Sequence, residues 1–308
     1  MFIENGFLPE NKFWKYLIGS VVVIFASVIG QIPLLLAVFV KSFSSGKGMP
    51  QNGQEIMTVL EPNTTLFLAL LSFVFAFIAF LLVTKYFHKQ SLLSLTTSRK
   101  KVDWKRVFFS FGSWSLITIV SIAALYYSNP ESFVVNFKPI PFIILVLIGI
   151  VLIPIQTSTE EYIFRGYLMQ GFALLSRNKW LPLVMTSVIF GTMHIANPEV
   201  EKMGYIILVY YIGTGFFLGI ITLMDEGMEL ALGFHAANNL VGALLVTSDW
   251  SVFQTNSILK DVSMPSVGSE ILAPVFIIFP ILLFIFSKKY KWTNWKEKLT
   301  GTIDNNIV

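Results

Sequence analysis

Eight apolar runs, each close to the length that crosses a bilayer, dominate the 308-residue chain. They fall roughly at 14–40, 65–84, 107–127, 139–159, 180–197, 204–224, 229–247 and 271–287. A membrane helix needs about 20 consecutive apolar residues, and lipid leaves no water to satisfy an open backbone, so such runs fold as helices. A composition 55% hydrophobic and only 13% charged, with a mean hydropathy of +0.70, extends this reading to the whole chain. The fold class is therefore all-α: a polytopic integral membrane protein with about eight transmembrane helices. The runs at 180–197 and 229–247 are the weakest of the eight, because each contains a histidine, His194 or His235. No internal repeat and no low-complexity stretch divides the chain, so residues 1–308 read as one membrane domain. The first run follows Lys12 and Lys15, exceeds a signal-peptide core and lacks a small-x-small cleavage site, which makes it a retained anchor.

The net charge of +4 is modest, but its placement is informative. Of 22 Lys and Arg residues, 17 fall in one alternating set of segments: Lys12 and Lys15, Lys85 through Arg106, Arg165 with Arg177 and Lys179, and Lys288 through Lys298. The opposite set holds Lys41, Lys47, Lys138, Lys202 and Lys260. Positive residues concentrate on the cytoplasmic side, which puts both termini there. Eight helices reproduce this alternation, whereas seven or nine do not. The basic run Arg99–Arg106 reads as a loop lying on anionic headgroups rather than as a nucleic-acid patch. With no cysteine, the chain has neither disulfides nor a thiol nucleophile nor thiolate metal ligands.

Against this apolar background the few ionisable groups at membrane depth stand out, because such groups are costly and mark function by default. They are Glu160, Glu161, Arg165, His194, His235 and, at the edge of a run, Glu229. Glu160 and Glu161 sit where the fourth apolar run ends. Glu161 and Arg165 are four apart and share a helix face, while Glu160 points about 100° away. Glu161 is then expected to pair with Arg165 and brace the helix, leaving Glu160 free to face a cavity. A single Glu–Arg pair would read as ordinary interfacial charge. Adjacent glutamates accompanied by two buried histidines read instead as one polar site drawn from three helices. Phe190 precedes His194 by one turn, and Asn239 follows His235 by one turn on the same face, with Asn238 pointing elsewhere. The His235–Asn239 pair alone reads equally well as polar glue between helices. His88, at a basic interface, is expected to be solvated.

A carboxylate and two histidines in a partly dry cavity can activate water, and a histidine beside an asparagine amide can donate to an oxyanion. That combination suits peptide hydrolysis without a covalent intermediate. The chain lacks H-E-x-x-H, G-x-S-x-G and any membrane aspartate pair, which removes three rival intramembrane chemistries.

The ordered motifs Glu160-Glu161-x-x-x-Arg165, Phe190-x-x-x-His194 and His235-x-x-x-Asn239 resemble those of the CAAX protease and bacteriocin-processing (Abi) family. These are intramembrane endopeptidases related to the type II CAAX prenyl endopeptidase. The resemblance spans about residues 140–250, flanked by N-terminal helices over 1–130 and by a C-terminal helix and basic tail over 270–308. It implies that Glu160 is the water-activating base with His194 as partner, that His235 and Asn239 hold the oxyanion, and that Glu161, Arg165 and Phe190 support them. It implies an endopeptidase cutting near the C-terminus of a membrane-associated protein or peptide, prenylated or not, in the plasma membrane of a prokaryote. Membrane lipid and a peptide substrate are the expected partners, and nucleic acid is not. No cofactor is expected. A zinc-dependent version, with Glu160, His194 and His235 as ligands, is the alternative within the family, although the spacing is not that of a compact metal site. Two readings outside it are a proton-coupled transporter using the buried Glu and His groups, which no inverted repeat supports, and a scaffold that has kept the fold.

The orientation is testable in this cysteine-free chain. In intact cells an impermeant thiol reagent should label Val135→Cys and spare Lys100→Cys. The reverse pattern would overturn cytoplasmic termini.

Overall fold

The computed structural model describes residues 1–46, 48–265 and 268–304. Lys47 of the charge pattern and residues 305–308 of the tail lie outside it. The main helices are α1 Phe13–Ser44, α2 Pro62–Leu82, α3 Trp104–Ser128, α4 Pro139–Glu161, α5 Trp180–Thr192, α6 Leu208–Asp225, α7 Glu229–Leu245 and α8 Phe279–Tyr290. Three short strands, β1 Phe133–Val135, β2 Val246–Ser248 and β3 Leu259–Asp261, form a small sheet in the order β1-β3-β2. β3 runs antiparallel to β1 and parallel to β2.

Among the described residues six helices are long and apolar enough, by length and composition, to cross a membrane. The apolar stretch through α5, Trp180–Ala196, and α7 each span 17 residues. At about 1.5 Å per residue that is about 26 Å, short of a hydrocarbon core of about 30 Å. α7 belongs to the inside of the bundle, whereas the α5 stretch is buried on one side only and leaves Trp180, Val188, Met193 and Ile195 exposed. α7 packs along α3 and α4, and its Leu230, Ala231, Phe234 and Ala237 are fully buried. A Cβ on Gly233 would collide with the Val107 carbonyl oxygen of α3, so a residue without a side chain is what lets these two helices meet. α5 packs on α6, and α1 packs on α2.

The fourth apolar run does not end at the glutamates. The helix continues through a π-turn, Tyr162–Leu168, into Met169–Ser176, giving one helical stretch from Pro139 to Ser176. No proline or glycine interrupts Gln156–Arg165, and Tyr162, Phe164 and Tyr167 are buried, so packing carries the helix onward. Glu160 and Glu161 therefore lie inside a helix, directly before a π-turn, a distortion often found at functional sites.

The basic loop also departs from the expectation. Lys100, Lys101 and Lys105 are exposed, but Arg99 and Arg106 turn inward. Arg99 pairs with Asp225 Oδ2 and Glu229 Oε2, each at 3.1 Å, and Arg106 pairs with Asp103 and Asp225. Buried carboxylates at the α6–α7 turn need partners, and the loop supplies them. Trp292 of the tail donates to Asp225 at 3.0 Å, and the Phe2 backbone donates to Glu226 at 2.7 Å, so both ends of the chain are tied to the same turn. Glu229 thus belongs to this cluster and not to the site formed by the other ionisable groups.

His88 is fully buried, not solvated. Its Nδ1 meets Asn11 Oδ1 at 2.8 Å and its Nε2 meets the Tyr167 hydroxyl at 2.7 Å, while Tyr16 packs on its ring. Burial, with Lys15 nearby, lowers its pKa to about 4. In the unfolded chain it titrates near its ordinary value of about 6.5, so between these values the unfolded state binds the extra proton. Its contribution to stability is full above about pH 6.5 and is lost as pH falls to 4. Melting temperature in detergent should therefore fall over this window, and His88→Gln should flatten the fall. An unchanged slope in the variant would remove His88 as its source.

Candidate active site

Three helical elements bring the polar residues together. α4 carries Gln156, Glu160 and Glu161, and the π-turn adds Arg165. α5 carries Phe190, and a 3-10 turn, Met193–Ala196, adds His194. α7 carries His235 and Asn239.

Glu161 is the buried centre. Both its side chain and that of Arg165 are completely buried, and Arg165 Nη1 donates to Glu161 Oε1 at 3.2 Å. Arg165 Nη2 donates to the Gly215 carbonyl of α6 at 3.2 Å. His235 Nδ1 lies 2.7 Å from the same Glu161 oxygen. An ionised carboxylate only accepts, so Nδ1 carries the proton and Nε2 is turned toward Glu160 Oε2, 3.6 Å away. Phe190 fills the space between these groups: the Arg165 guanidinium lies 4.3 Å from its ring, and the rings of His194 and His235 lie at 4.9 and 5.9 Å.

Glu160 is the more accessible carboxylate, with 17% of its side chain exposed. Its Oε1 accepts from Gln156 Nε2 at 2.6 Å, which leaves Oε2 facing His235. His194 donates through Nδ1 to the Phe190 carbonyl at 2.8 Å, which leaves its Nε2 as an acceptor. Its ring stacks on Tyr211 of α6 at 4.3 Å, within electrostatic reach of Glu160 and His235.

Asn239 joins by a different contact from that suggested by its spacing. Its Nδ2 donates to Gln156 Oε1 at 3.0 Å, while His235 is held by the glutamates. Gln156 was not singled out in the sequence, although it stands four residues before Glu160, the spacing at which helix side chains meet. Tyr211 was also missed, and no local signal marks it. Asn238 points away from the glutamates, toward Trp114 and Tyr210. Among the described residues no three His, Cys, Asp or Glu side chains are grouped to hold a metal ion.

Residues 138–241 match the family model described as type II CAAX prenyl endopeptidase Rce1-like. This stretch of the chain is an Rce1-like domain. It contains every residue of the site, from Gln156 to Asn239. The chain is also 28% identical over 245 residues to the uncharacterized protein YyaK of Bacillus subtilis strain 168, covering 79% of this chain and 81% of that one. No solved structure matches it. At the level of the family, the match over this stretch indicates a CAAX-type endopeptidase.

Within this domain the Glu161–Arg165 pair has a measurable cost of removal. Glu161→Gln leaves a buried guanidinium unpaired, and breaking such a pair costs about 3–5 kcal/mol. The single variant should melt well below wild type in detergent, and adding Arg165→Met should recover much of the loss. A double variant no more stable than Glu161→Gln would show that the pair is not what braces this helix.

Proposed function

We propose that the protein is an intramembrane endopeptidase in which Glu160 activates the attacking water. One observation carries this reading: the two adjacent carboxylates are in different states. Glu161 is fully buried between Arg165 and His235, whereas Glu160 keeps one oxygen bonded to Gln156 and presents the other toward a histidine nitrogen.

In this reading a water beside Glu160 Oε2 gives its proton to the carboxylate as its oxygen attacks the scissile carbonyl carbon. The carbonyl π pair moves onto oxygen. The second N–H of Asn239 and, in its imidazolium form, Nε2–H of His235 are the donors available to that oxyanion. Collapse re-forms the carbonyl and breaks the C–N bond, and the proton held by Glu160 passes to the leaving amine. His194, with Nε2 as an acceptor, orients the water or carries the proton. Substrates are peptides near the C-terminus of a membrane-associated protein, lipidated or not, which suits a site enclosed by apolar helices. The host membrane is the plasma membrane of a prokaryote, with cytoplasmic termini.

A zinc-dependent version has one feature in its favour: a carboxylate on His235 Nδ1 is the arrangement that orients a metal-binding imidazole. Zinc needs at least three protein ligands, and among the described residues no such group is assembled. In this reading no step is assigned to a metal.

Turnover of tail peptides and melting temperature should be measured together. Glu160→Gln should lose about 10²–10⁴-fold in turnover with folding intact, since that is the worth of a general base. His194→Ala should behave similarly, and Asn239→Ala should retain more activity. Activity should survive exhaustive chelation. Near-normal turnover in Glu160→Gln, beside a folded but inactive Glu161→Gln, would reverse the two carboxylates, and zinc-restorable loss on chelation would reinstate the metal.

A further inference from the structure

Glu160 is the end of a hydrogen-bond chain that crosses four helices. Trp114 Nε1 of α3 donates to Asn238 Oδ1 at 3.1 Å, and the Tyr210 hydroxyl of α6 donates to the same oxygen at 3.3 Å. Asn238 Nδ2 donates to Asn239 Oδ1 at 3.0 Å. Asn239 Nδ2 donates to Gln156 Oε1 at 3.0 Å, and Gln156 Nε2 donates to Glu160 Oε1 at 2.6 Å. Three amides in series thus point the same way.

The direction of the chain is fixed by the chemistry of its ends. An indole N–H only donates, so Asn238 must turn its oxygen to Trp114 and its nitrogen to Asn239. Asn239 must then offer its oxygen to Asn238 and its nitrogen to Gln156, whose oxygen receives it. The nitrogen of Gln156 is left for Glu160, an ionised carboxylate that only accepts. Turning any one amide over would set donor against donor at one joint and acceptor against acceptor at the next. Gln156 and Trp114 are buried, at 4% and 6% exposure, so water does not readily replace a broken link.

We infer that Gln156 is a positioning residue for Glu160, held in its donating orientation by Asn239, Asn238, Tyr210 and Trp114. The inference rests on the reading of Glu160 as the base. The chain decides which carboxylate oxygen does the chemistry: Oε1 is occupied by Gln156, so Oε2, on the His235 side, takes the proton from water. It also gives Asn239 a second task, because the amide that offers one N–H to an oxyanion uses the other to align the base.

Two measurements test this, one without turnover. The carboxylate stretch of Glu160 is identified in infrared difference spectra as the band lost in Glu160→Gln. It should shift in Gln156→Leu, and by less in Trp114→Phe, a change that keeps an aromatic ring against Phe234. In turnover assays Gln156→Leu should lower kcat on the order of 10- to 100-fold, the worth of one hydrogen bond to a charged group, with KM little changed. Gln156→Glu, similar in size but without the N–H, should not rescue it. Trp114→Phe alone should lower kcat modestly, and in the double variant with Gln156→Leu it should cost nothing more, because its effect passes through the missing link. An unmoved Glu160 band in Gln156→Leu, or fully additive losses in the double variant, would overturn the chain. A fully active Glu160→Gln would instead sink the assignment of the base while leaving the band shift to report on the hydrogen bonds.

Discussion

The Glu161 carboxylate, with no exposed surface, sets the terms for the rest of the bundle. A lone ion in such a place would cost several kcal/mol in desolvation, so the structure must bring it partners. Arg165 comes from the next turn of the same helix and His235 from α7. Arg165 in turn brings the Gly215 carbonyl of α6 and the ring of Phe190. One buried charge therefore ties the helices of the Rce1-like domain into a fixed arrangement. In the reading proposed above, these contacts divide the labour between the carboxylates: Glu161, whose Oε1 is taken by Arg165 and His235, braces the helices, and its neighbour Glu160 is the base.

The helix that carries both glutamates is unusual in its length and its distortion. Had it ended at Glu161, the last carbonyls would have needed other donors beside two carboxylates. Continuing through a π-turn keeps those groups bonded within the helix. The turn also puts Arg165, Gly166 and Tyr167 into the packed interior, where Gly166 lies against the Leu95 carbonyl and Tyr167 meets His88. The basic face of the molecule is tied in the same way, with Arg99 and Arg106 reaching the turn from which α7 starts. The position of His235 thus depends on α4 at one point and on the 99–106 loop at another.

What could be read from the sequence was what is local in the helix. The four-residue spacing of Glu161 and Arg165 gave their pairing, and the motif order gave the family now matched over 138–241. Helix count was harder, because α5 and α7, at 17 residues, sit at the short end of spanning length, and hydropathy does not distinguish a core helix from a lipid-facing one. His88 and Arg99 were misread for one reason: each lies in a segment of basic character, and the partners that bury them, Asn11, Tyr167, Asp225 and Glu229, are distant in sequence. Gln156 was missed because attention to charge passes over a neutral amide.

That omission shows how a membrane site is built from groups that cost little to bury. Each charge placed at this depth needs a compensating charge, as Glu161 needs Arg165, and the compensation freezes both. An amide carries a donor and an acceptor and can be satisfied by another amide. A run of amides can therefore extend from Trp114 to Glu160 through apolar surroundings without adding a charge. Glu160 can then be held by a firm hydrogen bond on one oxygen while its second oxygen stays open. A cation in place of Gln156 would bind Glu160 more tightly, but it would oppose the protonation that a general base must undergo. In the proposed mechanism the neutral donor aligns the carboxylate and still lets it take up and release a proton.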